Sequence, residues 1–481
     1  MGGRASFGLG TRAGVLVTLA GLSALAFLVL APALAAGFEY DDRADVLDNP
    51  ASRPESFLAA LGETNRPLVK ATYALQRLAT GDAPRPFHAL NLVLHVAMTL
   101  AVFFLLRRVV DSSDAPHRDL AAWLATALWA LHPAAVEAVA PVVGRSTLLS
   151  SLLALCALLL VTAPAPPARR AALGAGALAC GAALARETAL VLPALGLVWQ
   201  ATLGGGESRR DALRRQLPIL AGTSAAALAI ALSSRHRELV EFSLRERSPL
   251  AALRGNLRAI GELFALWLTP ARVSVDPPQP ADLPWTATGT IVPAALLLAA
   301  AVLVVALRRR RPRAAFAVGW TLLALAPSNS ILWRLDPVAP RALYLASIGL
   351  VALVALAVIA LAGRLAAAPR PKWQRAAVAT AIVALLAWPL AVEAREARRR
   401  AALWAEPAAL WADAAAKAPD RARPWLNLGV ELMIAGRLEA AEAALARAAK
   451  IDPRNSNAHC ALDALRVRRA AEGRVERSVL R

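Results

Sequence analysis

The apolar run GVLVTLAGLSALAFLVLAPALAA (residues 14–36) is followed almost at once by the acidic stretch FEYDDRADVLDNP (residues 38–50). The apolar run is long enough to cross a bilayer as a helix. It is also longer than the apolar core of a signal peptide, so we interpret it as a retained membrane anchor. Charge close to a membrane is costly and usually serves a function. The aspartates of the acidic stretch therefore need a functional explanation.

The composition of the chain indicates a membrane protein with many spans. Of its 481 residues, 57% are hydrophobic, and the mean hydropathy is +0.48. This apolar share exceeds that of an ordinary soluble domain, and we predict an all-α, polytopic membrane helical bundle. The net charge of +20 lies in short basic runs between apolar segments. Such runs are typical of cytoplasmic loops beside anionic lipid headgroups, and without an aromatic-rich basic domain they exclude a nucleic-acid-binding role.

About eleven segments are apolar and roughly long enough to be transmembrane helices. They are residues 13–36, 87–106, 120–143, 146–163, 171–185, 188–203, 216–233, 288–307, 314–326, 341–362 and 376–392. The basic residues between them place the N-terminus in the cytoplasm and the C-terminal tail on the outer side. Three loops, 37–86, 235–287 and 327–340, then face outward. The predicted transmembrane domain covers residues 1–395.

Two segments do not fit the simplest topology. Residues 251–270 are apolar but carry Arg254, Arg258 and Glu262, so we predict a helix that lies on the outer surface or is re-entrant. The basic run EAREARRR (residues 393–400) falls on the outer side, against the charge rule. Both segments are tests of the eleven-span topology.

Several polar side chains are predicted to converge on the outer ends of the spans. At 1.5 Å per residue, Glu137 lies about 27 Å from the inner end of the span 120–143. The same placement applies to His88, His95, His132, Arg145, Arg186, Glu187 and Arg341. Ionisable groups in a bilayer are usually paired or functional. Together with Asp41 and Asp42, their one-sided placement favours a site at the outer surface.

Each of these residues also has a structural interpretation. Glu137 and Arg145 could form a buried ion pair. The adjacent Arg186 and Glu187 could close a tight turn. The two histidines of the second span lie seven residues apart on one helix face and could be packing residues. Arg341 could extend to the headgroups, and the pair of aspartates could cap a helix.

The C-terminal stretch ARPWLNLGVELMIAGRLEAAEAALARAAKIDPRN (residues 422–455) matches a tetratricopeptide repeat. The signature positions are occupied by Trp425, Leu428, Gly429, Leu432, Ala441, Leu445, Ala448 and Pro453. Gly429 and Ala441 would let two helices approach, and Pro453 would end the second helix. The flanks match in part, so we predict one full repeat within the region 400–470. It would pack on the membrane domain or on a partner, and such surfaces bind peptides or proteins.

The cysteines and the overall residue usage give predictions about metal binding and about the cellular location. The three cysteines are scattered and show no disulfide or metal spacing. We predict no metal site, and the need for a divalent cation stays open. Heavy use of alanine and arginine is typical of a GC-rich genome, which indicates a bacterial inner-membrane protein with its C-terminal repeat in the periplasm.

Seven stretches of the chain carry a resemblance to a known family. They are FEYDDRADVLDNP, NRPLVKATYAL, GDAPRPFHALNLVLH, ALHPAAVEAVAPVVGRSTLL, LARETALVLP, LAPSNSILWRLDPVAPRALYLAS and the closing repeat. In this order they resemble the transmembrane and tetratricopeptide-repeat-containing O-mannosyltransferases, which are GT-C-type membrane glycosyltransferases. The stretches run from about residue 38 to residue 455. The eleven-span topology is also similar to that of protein O-mannosyltransferases.

The resemblance implies a transferase that moves a sugar, mannose in the family, from a polyprenyl-phosphate donor to a Ser or Thr hydroxyl of a protein. The acidic motif of the family's first outer loop matches Asp41 and Asp42. The basic donor-phosphate site matches Arg341, to which we add Arg145. Supporting roles are predicted for Glu137, His88, Arg66, Arg186 and Glu187. The chain departs from the family pattern in having Pro340 before the basic residue and in carrying about one repeat.

The chemistry needs a base for the acceptor hydroxyl and a cation for the leaving phosphate. A carboxyl with an ordinary pKa of about 3.9 is ionised at neutral pH and can accept the proton. Either Asp41 or Asp42 could be this base, and we favour Asp42, with its neighbour orienting the acceptor or binding a cation. The planar fork of an arginine suits the phosphate. Attack opposite the phosphate would invert the anomeric centre.

Three other functions fit parts of the sequence. A transferase that acts on a lipid or a cell-surface glycan would use the same residues. A non-enzymatic membrane scaffold that presents a repeat would not need Asp41, Asp42 or Arg341. A transporter would need polar residues along the middle of the spans, which consist mostly of Ala, Leu and Val.

Overall fold

The protein is helical throughout the part of the chain that the structure describes. The computed structural model describes residues 12–111, 118–165, 167–280, 283–367 and 371–479, and these ranges contain twenty α-helices and no strand. The first ten are α1 Arg12–Leu30, α2 Phe57–Ala60, α3 Pro67–Thr80, α4 Pro84–Val109, α5 Arg118–Leu131, α6 Pro133–Val139, α7 Arg145–Val161, α8 Arg169–Ala185, α9 Leu192–Leu203 and α10 Arg209–Leu232. The others are α11 Ser234–Glu246, α12 Pro249–Leu268, α13 Thr288–Leu307, α14 Pro312–Leu325, α15 Leu343–Ala367, α16 Lys372–Leu403, α17 Pro407–Lys417, α18 Ala422–Ile434, α19 Leu438–Ile451 and α20 Ser456–Val479. The predicted all-α class is confirmed.

Six of the described helices are long and apolar enough to cross a membrane, and the number is seven if the bent pair α5–α6 counts as one span. They include α13, whose mean hydropathy is 2.7 and of which only 6% is buried. A helix with so little protein contact is typical of a lipid-facing position. The helices α8 and α14 lie where spans are predicted but are shorter, with 17 and 14 residues. The count of eleven spans stays a prediction.

The prediction of one continuous helix over residues 120–143 is wrong. The chain bends by 60° between α5 and α6. Pro133 has no N–H to donate, and its ring would clash with the carbonyl four residues earlier. His132 caps the new helix, since its Nδ1 accepts a hydrogen bond of 3.1 Å from the N–H of Ala134. The depth counted for Glu137 along one straight helix therefore does not apply.

In the turn between α6 and α7, the backbone at Gly144 passes exceptionally close to the backbone of α6. A Cβ atom on Gly144 would lie 2.1 Å from the carbonyl oxygen of Ala138, so only glycine fits there. The turn brings the backbone of Val142 and Val143 against the first loop. The Tyr73 hydroxyl of α3 donates a 3.0 Å hydrogen bond to the carbonyl of Val142. This contact fixes the first loop to the end of the bundle.

The predicted surface or re-entrant segment 251–270 forms the helix α12, which is not among the six helices able to cross a membrane. Its buried residues follow a helical stripe, namely Ala252, Asn256, Ala259, Ile260, Leu263 and Leu266. Glu262 lies on the exposed side. One-sided burial of this kind is typical of an amphipathic helix that packs on a neighbour, here α13.

The C-terminal helices form antiparallel pairs that pack on the same end of the bundle as the first loop. The helices α18 and α19 make the hairpin that the repeat pattern predicts, and a Cβ on Gly429 would lie 2.6 Å from Leu445 Cγ. This tight approach explains the glycine. The assignment of the hairpin to the tetratricopeptide class stays a prediction. We call residues 404–479 the C-terminal segment.

Part of the basic run 393–400 is paired at this end of the bundle. Arg399 and Arg400 both pair with Asp413 of α17, and Arg398 donates to the carbonyl of Leu28. Charges that are paired no longer act as topology signals in the way that free basic residues do. The conflict between this run and the predicted side of the tail therefore has a local explanation.

Candidate functional site

The acidic stretch leaves the first membrane helix through a strained turn. Among the described residues, Tyr40 is the only non-glycine with a positive φ, at 52°. Such a conformation costs a bulky residue energy and often marks a functional site. A short helical turn, Arg43–Leu47, follows at once. The strained turn sends the two adjacent aspartates, Asp41 and Asp42, into different surroundings.

Asp42 is fully buried and holds the loop to the bundle. Its side chain is 0% exposed. It accepts hydrogen bonds from the N–H groups of Val143 at 2.8 Å, Val142 at 3.0 Å and Glu39 at 3.4 Å. Burial raises the pKa of Asp42 to about 7, and the three backbone hydrogen bonds limit the rise. These contacts indicate that Asp42 anchors the first loop to the turn between α6 and α7.

Replacing Asp42 by alanine is expected to lower the free energy of unfolding by roughly 2–5 kcal/mol, because buried backbone donors lose their acceptor. Amide hydrogen exchange at Val142 and Val143 should speed up in parallel. The matched control is Asp48→Ala, which changes an exposed aspartate of the same loop. Equal thermal unfolding of the two variants in the same detergent would contradict the anchoring role.

Asp41 faces a cavity of about 300 Å³ that is lined largely by arginines, which we call the cationic cavity. This volume is in the range of small-molecule sites, roughly 300–1,000 Å³. Burial raises the pKa of Asp41 above its ordinary value of 3.8, and the nearby Arg341 opposes the rise. Asp41 is therefore the member of the aspartate pair that a ligand in this cavity would meet.

The cationic cavity carries four arginines from different parts of the chain, namely Arg66, Arg186, Arg334 and Arg341. Arg66 lies 3.5 Å from Glu187, and Arg186 donates a 2.8 Å hydrogen bond to Thr147. Within the described ranges, the guanidinium groups of Arg334 and Arg341 show no hydrogen bond or ion pair. Burial lowers the pKa of Arg334 to about 10, and repulsion from Arg341 adds to the effect. Crowded, partly unpaired guanidinium groups are suited to bind a phosphate.

Arg145 lies outside the cationic cavity. It is 0% exposed. Its guanidinium donates to Asn91 Oδ1 at 3.1 Å, to the Phe87 carbonyl at 3.1 Å and to the Thr72 hydroxyl at 3.3 Å. It also stacks 4.7 Å from the centre of the Tyr73 ring. These contacts favour a structural role over the predicted contact with a donor phosphate.

Glu137 lines the cationic cavity, but the ion pair considered for it with Arg145 is wrong. Its partner is Arg400 of α16, whose Nε donates a 2.8 Å hydrogen bond to Glu137 Oε1. Arg400 also binds Asp413 at 3.0 Å. Glu137 is therefore linked through Arg400, 263 residues away in sequence, to Asp413 of the C-terminal segment.

His88 and His95 are packing residues with hydrogen-bonded partners. The ring of His88 bridges the carbonyls of Ala140 and Gly37, at 2.8 and 3.0 Å. His95 bonds the Tyr344 hydroxyl at 2.9 Å. His88 thus supports the site indirectly, because it fixes the start of the first loop to the end of α6.

Sequence reasoning missed Arg334 of the cationic cavity. It also missed Trp404 and Arg423, through which the C-terminal segment reaches the site. Arg423 binds both Asp276 and Asp336, which come from two different loops that are predicted to face outward. Trp404 lines a second, smaller cavity beside Asp41. A sequence signal did exist for Arg334, since it lies in the stretch LAPSNSILWRLDPVAPRALYLAS, one of the stretches that resemble the family, within the predicted outer loop 327–340. Nothing in the sequence joined Arg423 to its distant carboxylates.

In the ranges that the structure describes, no group of three or more His, Cys, Asp or Glu side chains could hold a metal ion. Fold and site together define a class of protein: a helical bundle with helices able to cross a membrane, which presents a carboxylate and a cavity carrying four arginines at one end.

The curated relatives that this chain matches are named as protein O-mannosyl-transferases. The chain is 37% identical over 150 residues to protein O-mannosyl-transferase Tmtc1 of Drosophila melanogaster, which is 28% of this chain and 17% of that protein. It is 34% identical over 163 residues to protein O-mannosyl-transferase TMTC1 of Homo sapiens, or 31% and 18% of the two chains. Human TMTC3, also a protein O-mannosyl-transferase, is 30% identical over 141 residues, or 26% and 15%. The predicted resemblance to this family is confirmed.

These matches are partial. They cover less than a fifth of each relative's length. No family model matches the chain, and no solved structure matches it significantly. What the relatives act on is therefore a guide to this chain's activity and not a demonstration of it.

Proposed function

We propose that the chain is a membrane glycosyltransferase that moves a sugar, most simply mannose, from a polyprenyl-phosphate donor to a Ser or Thr hydroxyl of a protein at the outer membrane surface. The observation that carries the proposal is the cationic cavity, where Asp41 faces Arg334 and Arg341. The names of the curated relatives supply the sugar and the kind of acceptor.

The arginines are suited to the donor's phosphate. A polyprenyl-phosphate sugar is already activated, so the enzyme must stabilise the charge that grows on the departing phosphate. Arg334 and Arg341, whose guanidinium groups have no hydrogen bond or ion pair with the described residues, can do this through charge-assisted hydrogen bonds. The prenyl chain can stay in the bilayer, because the cavity lies at one end of the membrane-spanning helices.

Asp41 is proposed as the base, in place of Asp42. The acceptor oxygen forms a bond to the anomeric carbon while the bond from that carbon to the phosphate oxygen breaks. The hydroxyl proton passes to the Asp41 carboxylate, and the polyprenyl phosphate leaves as the anion. Attack opposite the phosphate inverts the anomeric centre. Asp42 positions its neighbour, since its own oxygens are occupied by backbone N–H groups.

Replacing Arg341 by glutamine is expected to lower kcat/KM for the donor on the order of 10²-fold, because a developing phosphate charge loses a partner. The acid limb of the pH profile should also move to higher pH. Asp41 must be ionised to act as a base, and its pKa is already raised; without Arg341, which opposes the rise, it should rise further. Arg341→Lys should keep the acid limb near its wild-type position, because the charge is retained.

The measurement is kcat/KM against pH for donor turnover, with Arg85→Gln as the control. Arg85 is an exposed arginine at the start of α4, so its variant should resemble wild type. An unchanged acid limb in Arg341→Gln would show that this arginine does not act on the base.

Transfer to a lipid or to a cell-surface glycan would use the same donor half of the site. It differs only in the acceptor, and an acceptor screen separates the two. A scaffold without activity would tolerate both Asp41→Asn and Arg341→Gln in every assay.

A further inference from the structure

A second cavity lies between the first loop and the C-terminal segment, and we call it the junction cavity. Its volume is about 50 Å³, and it shares Asp41 and Arg341 with the cationic cavity. Its other walls include Tyr40 of the first loop, and Trp404 and Arg423 of the C-terminal segment. The carboxylate proposed as the base is therefore reached from two sides.

Trp404 brings an unsatisfied hydrogen-bond donor to the junction cavity. The residue is 2% exposed, and within the described residues its Nε1 has no hydrogen-bond partner. A buried donor without an acceptor is costly, and most buried donors in folded proteins are paired. A ligand oxygen in the cavity would satisfy it. The N–H group therefore points to a ligand with an accepting oxygen, such as a peptide carbonyl.

The walls of the junction cavity are held in place from both sides. Arg423 binds Asp276 at 2.6 Å and Asp336 at 2.8 Å, and its guanidinium lies 5.9 Å from the centre of the Tyr40 ring. The Tyr40 ring meets Trp411 edge-on at 5.3 Å. A subsite with preformed walls loses little entropy when it binds a ligand.

The two cavities differ in the charge they offer. The arginines at the cationic cavity outnumber their carboxylate partners, whereas the Arg423 charge at the junction cavity is already matched by Asp276 and Asp336. Glu39 adds a further acidic group there. A phosphate is favoured on the cationic side and disfavoured on the junction side, where acidic side chains outnumber the arginines.

We propose that the junction cavity is the acceptor subsite, which receives the hydroxyl side chain of an extended polypeptide while Trp404 Nε1 donates to a carbonyl of its backbone. This inference rests on the proposed function and deepens it. The C-terminal segment then forms a wall of the site itself, in addition to any binding on the repeat surface. Donor and acceptor approach Asp41 from opposite cavities.

The test is Trp404→Phe, which removes the N–H and keeps most of the ring. The acceptor is the hexapeptide that wild type uses best, chosen from a library with one central threonine. The KM for this peptide should rise about five- to tenfold, as expected for one lost hydrogen bond. The donor KM should change less than the peptide KM, because Trp404 lines the junction cavity and not the cationic cavity. Trp425→Phe is the matched control, since its Nε1 bonds the Pro419 carbonyl away from both cavities.

The outcomes separate this inference from the proposed function. An unchanged peptide KM in Trp404→Phe, with Asp41→Asn inactive, would overturn the acceptor subsite and leave the transferase standing. Donor hydrolysis by wild type with no transfer to any peptide would overturn the peptide acceptor and this subsite with it. Wild type that neither transfers nor hydrolyses the donor would overturn the proposed function itself. Thermal unfolding in detergent shows whether Trp404→Phe is folded, and Trp404→His, which keeps a ring N–H, should hold the peptide KM nearer to the wild-type value.

Discussion

Replacing Asp41 by asparagine is expected to lower the rate of sugar transfer by roughly 10²- to 10⁴-fold, the usual contribution of a general base. Asparagine keeps the size and the hydrogen-bonding shape of the side chain but does not accept the acceptor's proton. Binding of the donor should persist, because the arginines that face its phosphate are unchanged. The loss should therefore appear in kcat, with little change in the donor KM.

The control for this variant lies in the same loop. Asp48→Asn changes an exposed carboxyl that lines neither cavity, so it should transfer sugar at the wild-type rate. Asp42→Asn should differ from Asp41→Asn in kind, since it should lower both stability and activity. Full activity in a folded Asp41→Asn protein would remove Asp41 as the base.

Replacing Arg400 by alanine is expected to lower the free energy of unfolding by about 3–5 kcal/mol, because two buried carboxylates lose their shared partner. Arg400 is 1% exposed, and Glu137 and Asp413 are nearly as buried. Its Nη1 also donates to the Val273 carbonyl at 2.9 Å. Arg400 joins the bundle to α17. In the variant, amide hydrogen exchange should therefore speed up more in α17–α20 than in the membrane helices.

Arg395→Ala is the matched control on the same helix. Its side chain is 83% exposed and reaches Glu396 only at 3.9 Å, so the change should cost less than about 0.5 kcal/mol. Adding Glu137→Gln to Arg400→Ala should recover part of the stability, because one stranded carboxylate is removed. Thermal unfolding in a single detergent measures all three variants. Equal melting of Arg400→Ala and Arg395→Ala would show that the pairing contributes nothing.

Sequence pattern predicted the helical class because long apolar runs leave a helix as the simplest way to satisfy the backbone inside a membrane. It predicted the wrong shape for residues 120–143. The window from Arg118 to Val139 is apolar enough on average to pass as one span, and hydropathy does not report the bend that Pro133 imposes. A proline in the middle of an apolar run was the available signal for this bend.

The sequence also identified the acidic pair and favoured Asp42 as the base, whereas the burial of Asp42 leads us to propose Asp41. Adjacent residues with the same chemistry are distinguished only by the backbone, and the positive φ at Tyr40 turns one carboxyl to the cavity and the other to the protein. The partner of Glu137 was missed for a related reason. Arg145 is near in sequence, whereas Arg400 becomes a neighbour only when α16 packs against α6.

The cationic cavity was predicted in part. Topology placed Arg186 and Arg341 at the same ends of their spans, and Arg66 was predicted as a supporting residue of the first loop; the structure brings all three to one cavity. Arg334 and Trp404 depend on loop geometry and on the docking of the C-terminal segment. Neither of these follows from periodicity or from charge runs.

The central claim is that the cationic cavity uses a polyprenyl-phosphate sugar to modify a hydroxyl. The most direct measurement incubates the lipid-embedded protein with polyprenyl-phosphate mannose and threonine-containing peptides, and reads the products by mass spectrometry and by their anomeric configuration. The account predicts a peptide that is heavier by one hexose, with the configuration opposite to that of the donor, and no such product from Asp41→Asn. A product of unchanged configuration, or the same yield from Asp41→Asn, would contradict it.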